Sequence, residues 1–161
     1  MKVDKEKEFY QIVTTRFGKL TIVATEQVVT QVLFGSRLLK HAHSGTNKVL
    51  MQAAKEIEEY MAWERRFFSV PIAYDGTVFQ NKVWTSLRDI PYGVTYSYKE
   101  FAESIGDPKA SRAVGNANNK NPLPILIPCH RVIGSDGSLV GYAGGIEMKR
   151  KLLKLEENYT I

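Results

Sequence analysis

Three β-rich stretches stand near the start of the chain: FYQIVTTRF from Phe9, KLTIVAT from Lys19 and VVTQVLF ending at Phe34, with breaks at Phe17-Gly18 and Glu26-Gln27. Runs of β-branched and aromatic residues punctuated in this way predict an antiparallel meander. From Asn47 the period changes. Leu50, Ala53, Ala54, Ile57, Tyr60 and Met61 recur at helical spacing with charge between them, predicting a helix to about Trp63. FFSVPIAY predicts another extended segment, and Asp75-Gly76 a turn between two subdomains, 1–75 and 76–161.

The second half reads as helices. Thr77 and Gln80 have capping-box spacing ahead of Phe79, Val83, Trp84, Leu87 and Ile90, and Pro91-Tyr92-Gly93 ends that helix. Ser97 and Glu100 form a second capping box before Phe101, Ala102 and Ile105, with Gly106 as the stop. Asp107-Pro108 predicts an N-cap and first helical position, opening a helix through Ser111, Ala113, Val114 and Ala117. Two short helices joined by a tight turn outline a helix-turn-helix, and Ser135-Asp136-Gly137-Ser138 predicts a hairpin turn that would serve as a wing. The fold class is therefore α+β, a strand-rich amino-terminal domain followed by a helical carboxy-terminal one.

Composition narrows the class. At 161 residues, 43% hydrophobic and 24% charged, the chain is an ordinary globular protein able to bury a core. The start MKVDKEKEFY lacks the apolar stretch of a secretory signal, and no run approaches the length of a membrane span, so a cytoplasmic protein without membrane contact is expected. The net charge of +5 decides little, but from Pro108 to Ser135 there are four basic residues, Lys109, Arg112, Lys120 and Arg131, and no acidic one. That local field favours phosphates. The second helix of the pair is rich in small residues, Ala110, Ser111, Ala113, Gly115 and Ala117, which suits close approach either to a ligand surface or to a neighbouring helix.

The chain has one cysteine, Cys129, which excludes an internal disulfide and any zinc site needing two thiolates. It is either an inert buried thiol or a nucleophile. Pro122, Pro124 and Pro128 stiffen the approach to it, Asn121 is a turn residue joining it to the helix, and His130 and Arg131 offer a base and a cation. In an extended segment, Cys129 and His130 would face opposite ways, so contact between them needs a bend or a bridging water.

The run PILIPCHRV resembles the active-site signature of the O6-alkylguanine-DNA alkyltransferases, also called methylated-DNA-protein-cysteine methyltransferases. The likeness continues in register through FQNKVW, IPYGVTYSY, DPKASRAVGNANNKNP and GYAGG to Glu156. It implies a ribonuclease H-like amino-terminal domain and a winged helix-turn-helix, and irreversible transfer of an alkyl group from O6-alkylguanine, less efficiently O4-alkylthymine, to Cys129. By the same resemblance His130 deprotonates the thiol through a water, Glu156 orients the histidine, Asn121 is a hinge, and Tyr98 helps rotate the nucleotide. Arg112 would fill the gap left by the flipped base, with Lys109, Ser111, Ala113 and Gly115 beside it at the minor groove of double-stranded DNA. Pro124, Val132, Tyr142, Ala143 and Gly144 would line the alkylguanine pocket, the main chain near Cys129 and Val132 reading the ring. Ala143 stands where some relatives carry serine. No cofactor is implied, and His41 and His43 have no cysteine to join, so no structural metal is expected. The implied state is a monomer, with cooperative assembly on DNA left open. The rival classes are a lesion-flagging binder without an acceptor cysteine, a Cys-His hydrolase, and a winged-helix regulator.

Overall fold

The computed structural model describes residues 6–157. They form two compact units, dividing between Tyr74 and Asp75. In the first, β1 (Phe9–Thr15), β2 (Gly18–Ala24) and β3 (Val29–Phe34) make the antiparallel meander, and a short β4 (His43–Ser44), not foreseen from the sequence, adds to β1 in parallel, giving the order β3-β2-β1-β4. Tyr10 pairs with Val23 and Ile22 with Val32, so the apolar side chains of the three strands share faces. Helix α1 (Lys48–Met61) is opened by Asn47, whose side chain accepts from the Leu50 amide at 2.9 Å. Its face of Val49, Leu50, Ala53, Ile57, Tyr60 and Met61 is buried, as are Leu20, Ile22 and Val23 of β2. The FFSVPIAY segment is extended beside β3, with the Val29 amide donating to Pro71 O and the Ala73 amide to Val29 O.

Asp75-Gly76 is not a turn. The chain is irregular there, the Gly76 amide donates to Asn81 Oδ1 at 2.9 Å, and a Cβ on Gly76 would lie 2.6 Å from the Trp84 ring. Glycine at 76 answers close packing on an indole, not turn chemistry.

The second unit contains α2 (Val78–Leu87), β5 (Tyr96–Ser97), α3 (Tyr98–Ser104), α4 (Ser111–Asn119), β6 (Val132–Ile133) and α5 (Ile146–Glu157). Both capping boxes are formed, Thr77 with Gln80 and Ser97 with Glu100. Gly106, at φ +82°, turns the chain after α3. Helix α4 starts later than the sequence suggested: Asp107 O accepts from the Ala110 amide at 3.0 Å, so Pro108 and Lys109 form the turn between the helices, and Ala110 is an N-cap without a side-chain bond. A buried bond from Trp84 Nε1 to Ala117 O, 2.8 Å, ties α2 to α4.

The expected wing is only half built. Gly134 and Ser138 close a tight turn, but no strand returns from it, and β6 pairs in parallel with β5 instead. The returning segment spends its Val140 carbonyl on Tyr98 Oη (3.1 Å) and Lys149 Nζ (3.2 Å) rather than on a ladder. No described helix is long and apolar enough to cross a membrane.

Candidate active site around Cys129

The approach to Cys129 is a tight turn rather than a straight run. The Ile127 amide donates to Leu123 O at 2.8 Å, and Ile125, buried at the tip, sits at φ +74°. That conformation costs a β-branched residue about 1–3 kcal/mol, so the surroundings must hold it. Asn121 is one holder: its Nδ2 donates to Ile127 O at 3.0 Å and its Oδ1 accepts from the Leu123 amide at 2.9 Å. It splints both ends of the turn.

Cys129, His130 and Arg131 then form one 3-10 turn. The bend left open by the sequence is therefore present, and alternation of an extended chain does not apply. The Cys129 carbonyl accepts from the Val132 amide and from Asn118 Nδ2 (3.1 Å), while the Cys129 amide donates to Ile127 O at 2.7 Å. The N–H groups of Cys129 and Val132 are thus both engaged inside the protein.

Side chains from this turn meet α5. His130 Nε2 lies 2.7 Å from Glu156 Oε2, and His130 is 0% exposed. With Nε2–H donating to the carboxylate, Nδ1 becomes the basic nitrogen; it is buried and has no hydrogen-bond partner among the described residues. Arg131 Nε reaches Glu156 Oε1 at 2.8 Å and its Nη2 reaches Oε2 at 2.9 Å, a two-point clamp, and the Gly93 amide adds a bond to Oε1 at 3.2 Å.

Electrostatics follow from burial. Burial pushes the Cys129 thiol up to about 11, against smaller opposing effects of Asn121 and of the Lys149 charge. Such a thiol is ionised to only about one part in ten thousand at pH 7, so it needs a base to react. Burial also lowers His130 from its usual value despite Glu156, which keeps the imidazole neutral and able to accept a proton. Burial would raise Glu156, but His130 and Arg131 outweigh it and hold the carboxyl far below its usual range.

The other named residues divide. Tyr98 and Tyr142 are close enough to Cys129 for its charge to raise them, after burial as the larger cause. Pro124 and Val132 are buried in the turn and in β6. Ala143 and Gly144 form the turn before α5, Ala143 exposed. Lys109, Arg112 and Ala113 are exposed and Ser111 partly so, on α4 and the turn before it. Gly115 looks inward, the position of a Cβ lying 3.8 Å from the Tyr98 ring. Arg131 leaves the phosphate-facing set: it is buried against Glu156, so Lys109, Arg112 and Lys120 carry the exposed charge of that stretch.

Sequence reasoning missed Asn118, Lys149 and the partner of Arg131. The signal for Lys149 was available, because Lys149, Leu152 and Glu156 share one helical stripe, and all three are buried. Among the described residues no group of three or more His, Cys, Asp or Glu is placed to hold a metal.

Comparison with known proteins agrees over both units. Residues 9–74 match the family described as 6-O-methylguanine DNA methyltransferase, ribonuclease-like domain, and residues 78–158 its DNA binding domain. A methylated-DNA-protein-cysteine methyltransferase of Methanosarcina barkeri is 44% identical over 154 residues, 93% of this chain and 98% of that protein. The constitutive enzyme of the same name from Bacillus subtilis is 40% identical over 156 residues, 92% and 94% of the two chains. The crystal structure of Mycobacterium tuberculosis OGT in complex with DNA superposes with a TM-score of 0.87 at 40% identity, covering 94% of each chain. With both domains matched in order and these identities sustained over nearly the whole length, the chain belongs to the 6-O-methylguanine DNA methyltransferase family.

Proposed function

We propose that this protein repairs DNA by taking the alkyl group of O6-alkylguanine, and less efficiently of O4-alkylthymine, onto Cys129 in a single irreversible turnover. One observation carries the reading: in a chain of this family, a buried thiol shares one turn with a histidine whose Nε2 is 2.7 Å from a buried carboxylate, leaving Nδ1 as the base. In the step, the thiol proton passes to His130, directly or through a water. The sulfur pair forms the S–C bond as the C–O6 bond breaks with its electrons going to the base, and one proton returns to the guanine ring. Glu156 orients His130 and balances the imidazolium. No cofactor enters, because attack on the alkyl carbon needs only a positioned thiolate and leaving group.

A stacked guanine hides its alkyl carbon, so the nucleotide must leave the duplex, at a cost of a few kcal/mol. Arg112, exposed on α4, is the side chain that enters the gap from the minor groove, with Lys109, Ser111 and Ala113 facing the strand near it and Gly115 behind them, its Cβ position turned toward the Tyr98 ring. Tyr98 helps rotate the nucleotide, Asn121 acts as hinge, and Pro124, Val132, Tyr142, Ala143 and Gly144 line the pocket. The main chain near Cys129 and Val132 reads the ring. Residues 1–75 act as the supporting domain and 76–161 as the DNA-binding, alkyl-accepting one, in an intracellular protein that works as a monomer; varying duplex length tests for cooperative assembly on DNA. The deciding measurement is intact-protein mass spectrometry after incubation with excess methylated oligonucleotide. One methyl per protein, lost in Cys129→Ser, is expected; repeated turnover rejects the reading.

A further inference from the structure

Arg131 lies beside the proposed proton relay without touching the thiol, and its bonding is unusually complete. Its Nε and Nη2 hold both oxygens of Glu156, at 2.8 and 2.9 Å, and its Nη1 donates to Ile90 O at 2.7 Å, beyond the end of α2. The guanidinium also lies 5.7 Å from the centre of the Tyr92 ring. A planar fork with two parallel bonds fixes the rotation of a carboxylate, which a single point charge does not. The oxygen so fixed, Oε2, is the one that meets His130 Nε2.

We propose that Arg131 is a positioning residue of alkyl transfer: by clamping both oxygens of Glu156 it keeps that carboxylate anionic and aligned, so that the proton leaving Cys129 is held on His130. This rests on the transfer reading above. The physical case is one of competition for a proton. A buried carboxylate alone favours its neutral form, and a protonated Glu156 could no longer stabilise an imidazolium at His130. The clamp removes that outcome. The groups facing the pair are Cys129 on the same turn, Lys149 on α5 and Tyr142 before it; of these only Lys149 is cationic, and it is directed to Val140 O at 3.2 Å rather than to Glu156.

Two variants separate charge from alignment. Single-turnover methyl transfer is followed by intact mass across pH 5 to 10, at saturating methylated duplex, for the parent protein, Arg131→Met and Arg131→Lys. Without a cation, the His130–Glu156 pair binds its proton more tightly, so the acid limb of the Arg131→Met rate profile moves to higher pH by about one unit. Arg131→Lys keeps the limb in place but lowers the plateau roughly tenfold, because one ammonium cannot clamp two oxygens. A merely structural arginine gives a Met profile that overlays the parent one after scaling, which overturns the proposal. If Arg131→Met does not fold, the lysine variant decides alone, since a parent-like plateau rejects the clamp. Failure of the parent protein to take any methyl group on Cys129 rejects the function itself and is read in the same experiment.

Discussion

Both units bury charge, and they close it off differently. In the amino-terminal unit Glu56 is 3% exposed, and its carboxylate accepts from the Ser69 and Val70 amides (2.7 and 3.0 Å) and from Gln52 Nε2 (2.8 Å), with Arg65 at 3.9 Å. Every hydrogen-bond partner is a neutral donor, and the two amide bonds stitch α1 to the extended segment after it. Around Cys129 the buried groups mostly satisfy one another, His130 with Glu156 and Glu156 with Arg131, and the chain leaves His130 Nδ1 and Asn118 Oδ1 buried without hydrogen-bond partners among the described residues. A closed shell holds structure; a shell with a basic atom left over can take a proton.

The sharpest break of that comparison is Cys129→Ser, which should abolish methyl transfer while leaving the thermal unfolding midpoint within a few degrees, as seen by mass spectrometry and calorimetry. Next, Glu156→Gln should slow transfer on the order of 100-fold or more, with a smaller loss of DNA affinity in a fluorescence titration. The defect should soften at alkaline pH, where the thiol ionises unaided; a proportional loss of binding would instead mark Glu156 as structural. Arg112→Ala tests the exposed surface rather than the buried cluster. Repair of a methylated duplex should fall roughly tenfold or more, with much less effect on the free alkylated base, which needs no extrusion. Equal losses on the two substrates would move Arg112 into the chemistry or the fold.

Smaller effects come from the stitching groups. Glu56→Ala should cost about 2 kcal/mol of unfolding free energy, since the buried Val70 amide and the part-buried Ser69 amide lose their acceptor, yet leave the transfer rate of folded protein unchanged. Burial opposes ionisation of Glu56, but its bonds with Gln52, Val70 and Ser69 and the Arg65 charge win and hold its carboxyl low. Its stabilising effect is therefore complete above the unfolded carboxyl value of about 4.3 and is lost as pH falls through the lower folded value. His130, held neutral, adds a loss that begins below about 6.5, where the unfolded imidazole takes a proton that the folded one refuses. The variant should show a flatter acid-unfolding curve than the parent protein between pH 5 and 3. Gly115→Ala should stabilise α4 by about 1 kcal/mol, because a Cβ there meets the Tyr98 ring at an ordinary 3.8 Å. A gain in stability with weakened DNA binding would show that the missing side chain serves the DNA face.

Legibility in the sequence followed the range of the interaction. The meander, α1 and both capping boxes were readable because each depends on residues within a few positions of one another. The start of α4 was misplaced because Asp107-Pro108 is equally good chemistry for a tight turn, and the neighbouring helix decided between them. Glu156 was reached only through family resemblance, since its own neighbourhood, MKRKLLKLEEN, reads as a solvated helix.

The sequence by itself determined the cysteine proposed as nucleophile, its adjacent histidine and the small-residue helix bearing Arg112, because these are contiguous along the chain and no second cysteine competes. Tertiary structure alone decided what the charges mean. Arg131 and Lys149 look like two more cations of a basic protein until α5 packs against the 3-10 turn. Withdrawn from water, a charge must find a partner at hydrogen-bond distance, and which partner lies within reach, 25 or 26 residues away, is a property of packing and not of sequence spacing.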